Sequence, residues 1–171
     1  MTGKIIGIGI IAAALIFGAV VWYAQTYYYY DEVALLDADV VLTPLDGGAP
    51  IGISYADFRG IDADSSPIRY RACFTTSETL ADLDTRFEQY ADAEPRNAPF
   101  WFDCFDADAI GEQIESGMAH VYAGQRNIEF GIDRVVAVTE DGRGYVWEEI
   151  NDCGDKSYDG TPLGKDCPVR D

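Results

Sequence analysis

The stretch IEFGIDRVVAVT at residues 128–139, followed by EDGR at 140–143 and GYVWEEI at 144–150, decides the fold of the soluble part of this chain. Both runs are rich in β-branched and aromatic residues, the types that fit a pleated, half-buried surface. Between them stands Asp141-Gly142, a pair suited to the tight turns of a β-hairpin, which need positive φ. An antiparallel hairpin over 128–150 is therefore expected.

The segments before it read as a mixture of short strands and helices. Residues 33–42 end in a β-branched run that predicts a strand. A turn cluster over 43–50 carries Pro44, Asp46, Gly47 and Gly48, and residues 51–55 resume an apolar alternation that closes a first hairpin. A loop with Asp62, Asp64, Ser65, Ser66 and Pro67 precedes residues 68–74, whose alternation gives a strand with two different faces. Thr75 and Glu78 have capping-box spacing, with Leu80, Leu83, Phe87 and Tyr90 at helical intervals behind them, and Pro95 and Pro99 end that helix. Residues 100–105 read as a compact aromatic strand carrying Cys104. A second helix is predicted from Asp106, with Ile110, Ile114, Met118 and Val121 on one face and Gly124 as its stop. Strands, helix, strand, helix, hairpin is the order of an α+β domain with a mainly antiparallel sheet and about two helices.

At the other end of the chain, residues 5–23 are apolar without interruption. Nineteen helical residues at about 1.5 Å each span roughly 28 Å, close to the hydrocarbon thickness of a bilayer. Trp22, Tyr23 and Tyr27 to Tyr30 follow as an aromatic belt, and Lys4 is the only charged side chain before Asp31. The reading is a single transmembrane helix within residues 1–30, with a cytoplasmic N-terminus and an outward domain over 31–171. In a bacterium that places the helix in the inner membrane and the domain in the periplasm. The absence of a small-x-small site after the run argues against a cleaved signal peptide. Gly3, Gly7, Ala14 and Gly18 share one face of the helix with Ile10, Val21 and Gln25, and such small residues let a second helix approach closely.

The chain holds 30 acidic residues against 12 basic ones, a formal net charge of −18. Apolar residues make up 48% and tyrosine contributes 11, which argues for a packed core rather than disorder. A field of that sign disfavours nucleic acid and anionic lipid surfaces and favours cations or a basic soluble protein. Cys73, Cys104, Cys153 and Cys167 all lie in the outer domain, and an even count there predicts two disulfides. Of three pairings, Cys73 with Cys104 and Cys153 with Cys167 is favoured. The first two sit in similar apolar segments and the last two bracket a short polar loop. Each link constrains the unfolded chain by about 3–4 kcal/mol in the loop-entropy picture.

Few residues invite chemistry. His120 has no histidine partner, and as a general base it needs an orienting acid and a pocket. No G-x-S-x-G elbow, phosphate loop or dinucleotide fingerprint is present. The groups Asp62/Asp64 and Asp103/Asp106/Asp108 could pair carboxylates for acid/base work, but short Asp-x-Asp patterns are common in so acidic a chain and aspartate also caps helices and turns. In the tail, Asp155, Ser157, Asp159, Thr161 and Asp166 fall at positions one, three, five, seven and twelve of a calcium-loop pattern, with Gly160 at six. Against it stand the short arm of Asp166 and the helix-breaking Pro162 and Gly164. No other cofactor is expected.

The Met-Thr-Gly-Lys start, Tyr-Arg-Ala-Cys-Phe at 70–74, Trp-Phe-Asp-Cys-Phe at 101–105 and Asp-Gly-Arg-Gly-Tyr-Val-Trp at 141–147 resemble a family of uncharacterised alphaproteobacterial single-pass membrane proteins. The resemblance implies an acidic periplasmic domain and no activity. Some such proteins carry a histidine-kinase label, which His120 does not support, since it lacks a phosphoacceptor helix pair and a nucleotide-binding domain. The functional expectation is a non-catalytic accessory or interaction subunit. Its partners would be membrane lipid, the helices of a larger membrane complex and a basic periplasmic protein. A calcium- or small-ligand-binding sensor module is the alternative.

Overall fold

The apolar run folds as one helix, α1 (Thr2–Tyr23), which passes into a π-helical turn at Ala24–Tyr28. In this computed structural model, residues 2–34, 40–164 and 167–168 are described. Mean hydropathy within Gly3–Tyr28 reaches 2.6, and that window is not covered by the rest of the chain. The protein therefore has an N-terminal helix long and apolar enough to cross a membrane.

In chain order the domain continues β1 (Asp31–Glu32), β2 (Val41–Leu42), β3 (Ile51–Gly52), β4 (Ala56–Asp62), β5 (Arg71–Thr75), α2 (Leu80–Arg86), α3 (Ala107–Glu115), β6 (Ala119–Glu129), β7 (Ile132–Thr139) and β8 (Arg143–Ile150). Six strands form one antiparallel sheet in the order β1-β4-β5-β8-β7-β6, and β2 pairs with β3 separately. The expected α+β architecture, with a mainly antiparallel sheet, two domain helices and two disulfides, is the one observed.

Alternation along the central strands sends residues to two cores. Val136, Val138 and Val146 meet Leu42, Phe74, Leu83 and Phe87 on one face, under the β2–β3 hairpin and α2. Val135, Ala137, Tyr145 and Trp147 meet Phe102, Phe105 and Ile110 on the other, under α3 and the loop before it. Because both faces are covered, β7 and β8 read as nearly continuous apolar runs.

Several sequence expectations change in detail. The hairpin turn at Asp141-Gly142 is present, with Gly142 at φ +79. Residues 128–139, however, belong to two strands, because the turn between Glu129 and Ile132 places Gly131 at φ +82 and reverses the chain. The second helix ends at Ser116, after which Gly117 at φ +76 breaks it, and Met118 to Gly124 continue into β6. Gly124 is therefore not a helix stop. It sits inside β6 where a Cβ would lie 2.8 Å from the Arg134 carbonyl oxygen.

Residues 100–105 are not a strand. Phe102 N–H donates to Pro99 O and Phe105 N–H to Phe102 O, so successive turns present the Phe102 and Phe105 rings to the sheet. The cap of α2 is Thr79, whose hydroxyl accepts from Asp82 N–H, rather than Thr75. Tyr90 belongs to an extended segment that donates to Val121 O, which covers the outer edge of β6. β4 was hidden by its own sequence: a register shift between Ala56 and Arg59 and Asp57 at φ +53 break the alternation. The first expected strand survives as β2, with residues 35–39 of it outside the described residues.

Gly144 pairs in register with Phe74, and a Cβ there would lie 2.0 Å from the buried Phe74 ring. Gly144→Ala is expected to destabilise the protein by about 1–3 kcal/mol, since a close-packed core must shift to admit the methyl group. Urea unfolding of the detergent-solubilised protein, followed by near-ultraviolet circular dichroism, measures it.

Candidate functional site

Acidic residues on β7 and β8 are buried in register with one another. Asp133, which is 1% exposed, pairs with Glu149, and Arg134 pairs with Glu148. Four donors fill the Asp133 carboxylate. Asn127 N–H (2.8 Å) and Asn151 Nδ2 (2.6 Å) reach Oδ1, while Tyr90 OH (3.2 Å) and Arg126 Nη1 (3.1 Å) reach Oδ2. This carboxylate holds the turn that contains Asn127, which sits at φ +47. Glu149 accepts from Trp147 Nε1 and from Glu94 N–H. An open cavity of about 600 Å³ lies beside this network and reaches Cys153. With its acceptors occupied, Asp133 is built to hold the turn.

His120 lies on β6 and does gain an orienting acid. Its Nδ1 is 3.0 Å from Asp84 Oδ1, which also accepts from Tyr122 OH and Gln89 Nε2, each at 2.8 Å. Partial desolvation would raise the Asp84 carboxyl, but the hydrogen bonds from His120, Gln89 and Tyr122 outweigh it and hold the group below 3.8. The second imidazole nitrogen, Nε2, bonds to no described residue, so the cluster contains no relay to a nucleophile.

The tail segment closes as a hydrogen-bonded turn. Ser157 N–H donates to Thr161 O, Gly160 adopts φ +86, and Lys156 bridges to Pro162. Asp159 Oδ1 accepts from the hydroxyls of Ser157 and Thr161 and from Thr161 N–H, and these bonds lower its carboxyl to about 2. The oxygens of the calcium pattern are thus engaged with one another. Asp155 takes part through its backbone, accepting from Leu163 N–H. Asp166 lies outside the described residues. Among the described residues no group of three or more His, Cys, Asp or Glu side chains is placed to hold a metal ion. The other acidic groups do local work: Asp62 accepts from Ala63 N–H, Asp103 pairs with Arg59, and Asp106 caps α3.

Cys73 is bonded to Cys104, which fixes the aromatic loop to β5, and Cys153 is bonded to Cys167, which closes the tail. The aromatic loop in turn grips the end of the N-terminal helix. Trp101 Nε1 donates to Thr26 O at 2.7 Å, and the Trp101 ring stacks on Tyr27. Phe100 meets Tyr27 edge-on while remaining 72% exposed. Arg69 reaches across to Gln25 Oε1 at 3.1 Å and lies over the Tyr30 ring. Beneath this clasp a cavity of about 540 Å³ is lined by Arg69, Arg71 and Arg96 together with Gln25, Tyr30 and Asn97. Sequence reading missed it, although Tyr-Arg-Ala-Cys-Phe held one of its arginines. On the helix itself, Ala14 is exposed, and positions where Gly3, Gly7 and Gly18 would carry a Cβ have nothing within 4 Å.

A six-stranded antiparallel sheet clasped to a single apolar helix thus defines the architecture, with the helix–domain junction as its candidate site. The chain belongs to DUF6446, a family of unknown function, whose model matches residues 40–168. No curated protein and no solved structure matches it. The matched span includes the three arginines of the junction cavity and leaves α1 outside.

Two outcomes follow from this geometry. Trp101→Ala removes one hydrogen bond and the ring pairs with Tyr27 and Tyr30, together worth about 1–3 kcal/mol, so hydrogen exchange at residues 24–30 is expected to accelerate about 10- to 100-fold. Asp84 has a folded pKa below its unfolded value. Its stabilisation is present above 3.8 and is lost as pH falls through the lower folded value. Asp84→Asn should therefore flatten that acid limb in thermal midpoints measured from about pH 5 downward.

Proposed function

We propose that this protein is a single-pass inner-membrane protein whose acidic domain faces the periplasm and serves as a non-catalytic accessory or interaction subunit of a larger membrane complex. The observation that carries this reading is the clasp between Trp101, Phe100, Arg69 and the residues that end the helix. A domain held in this way keeps one orientation at the membrane surface, which suits a docking module better than a loosely tethered one. Lys4 on the short N-terminal side supports the direction, since positive charge favours the cytoplasm. Two disulfides fit an oxidising compartment.

Support for partners comes from both parts of the chain. The face carrying Gly3, Gly7, Ala14 and Gly18 is uncovered within the chain and fits close approach of another transmembrane helix. A net charge of −18 fits a basic soluble partner. The second reading, a small-ligand-binding module, is favoured by the arginine-lined cavity at the junction.

Crosslinking mass spectrometry on intact membranes, paired with native gels in mild detergent, tests the leading reading. The expected outcome is a discrete species larger than 18.8 kDa with crosslinks from α1 to another membrane helix. Migration as an isolated monomer, with crosslinks confined to this chain, would overturn it.

A further inference from the structure

The arginines of this acidic domain are not distributed evenly with respect to charge. Arg59, Arg86, Arg96, Arg126, Arg134 and Arg143 each form an ion pair with a carboxylate. Among the described residues only Arg69 and Arg71 do not, and both line the junction cavity. Among the described residues no aspartate or glutamate lines that cavity, in a chain with 30 of them.

Arg71 is the more telling of the two. It is 4% exposed, yet its guanidinium donates only to backbone carbonyls: Nε to Arg96 O, Nη1 to Ile68 O and Tyr70 O, and Nη2 to Asn97 O. Carbonyl dipoles satisfy its hydrogen bonds without cancelling its charge; Glu148 and Glu149 act on it only through space, and each is already in contact with another arginine, Arg134 and Arg96 respectively. Burial lowers its pKa to about 10, so it remains a cation at neutral pH. Arg69 uses Nη2 on Gln25, and its other N–H groups bond to no described residue. Arg96 is held at 3.4 Å by Glu149, and its buried Nε has no acceptor. Of the three arginines only Arg96 touches a carboxylate, and Arg69 and Arg71 touch none among the described residues.

We propose that this cavity binds a phosphate-class oxyanion, with Arg69 as the direct ligand, Arg71 as the buried counter-charge and Arg96 at the side. Guanidinium forks match the oxygens of a phosphate, and two that touch no carboxylate favour a group of high charge density over a neutral ligand. A volume of about 540 Å³ admits a phosphate with its substituent. Gln25, Thr26 and Tyr30 line the cavity directly beyond the apolar run, at the level where headgroup phosphates lie when α1 spans a bilayer. The lipid source rests on the membrane reading, whereas binding of the oxyanion itself does not. The local charge of the cavity here outweighs the repulsion expected from the net charge.

The full chain in a neutral detergent, titrated with inorganic phosphate against chloride at matched ionic strength, reads the site by calorimetry. Native mass spectrometry of the same protein with phosphatidylglycerol or phosphatidylcholine reads the source. Saturable phosphate binding is expected, weakened about tenfold or more by Arg69→Gln, the loss of a charged hydrogen bond, and unchanged by Arg143→Gln outside the cavity. Selective retention of phosphatidylglycerol, displaced by phosphate, assigns the oxyanion to a lipid headgroup. Phosphate binding without lipid selectivity assigns it to solution. Neither ligand binding, or equal weakening by Arg143→Gln, would overturn the site. Carbonate extraction of membranes tests the membrane reading separately: a chain that washes off yet binds phosphate keeps the site and loses the lipid.

Discussion

The register between β7 and β8 is the constraint on which the rest of the molecule depends. Those strands lie in the middle of the sheet with a core on each face, so every residue from Ile132 to Thr139 has a required direction. A slip of one residue would exchange the two cores and bring Asp133 and Glu149 out of their networks. The turn at Asp141-Gly142 sets that register locally. Thr139 adds to it by donating its hydroxyl to Arg143 O and accepting from Arg143 N–H, which ties the strand ends together. Gly144 then leaves room for Phe74, and the disulfide from Cys73 carries the register outward to the aromatic loop.

That chain of dependence explains which parts of the fold were legible beforehand. The Asp-Gly turn and the apolar run of α1 are local signals, and each reads directly from neighbouring residues. Two other segments were ambiguous because their conformation depends on distant partners. Phe100 to Phe105 has strand-like composition, but Pro99 and the bond from Cys104 to β5 fold it into turns. Met118 and Val121 continue the helical spacing of Ile110 and Ile114, yet Gly117 breaks the helix and pairing with β7 claims the residues beyond it. In that contest the sheet hydrogen bonds prevail over periodicity.

The junction cavity was illegible for a different reason. Its arginines stand at 69, 71 and 96, its polar rim at 25 and 30, and no spacing rule connects these positions. Composition pointed the other way, since an overall negative charge suggests repulsion of anions. Net charge describes the far field, whereas a cavity responds to the few groups within a Debye length, about 8–10 Å at moderate salt. Among the described residues ion pairing removes six arginines from that local balance and leaves two, which only three-dimensional pairing reveals.

The junction also determines what the anchor can transmit. Only Tyr29 and Tyr30 separate the π-helical turn from β1, a span of about 7 Å at most when extended. β1 is hydrogen-bonded to β4, and β4 to β5, so the end of α1 is two strands away from Cys73 and Arg71. The short linker and the Trp101 and Arg69 contacts together tie the domain to the end of the helix. Anything that shifts Thr26 or Gln25 therefore acts on Trp101 and Arg69 at once, and through Cys104 on the sheet. If a helix contact in the bilayer and an occupied arginine cavity both occur, they would bear on the same few residues, and any coupling of their free energies would be reciprocal, by the same factor in each direction.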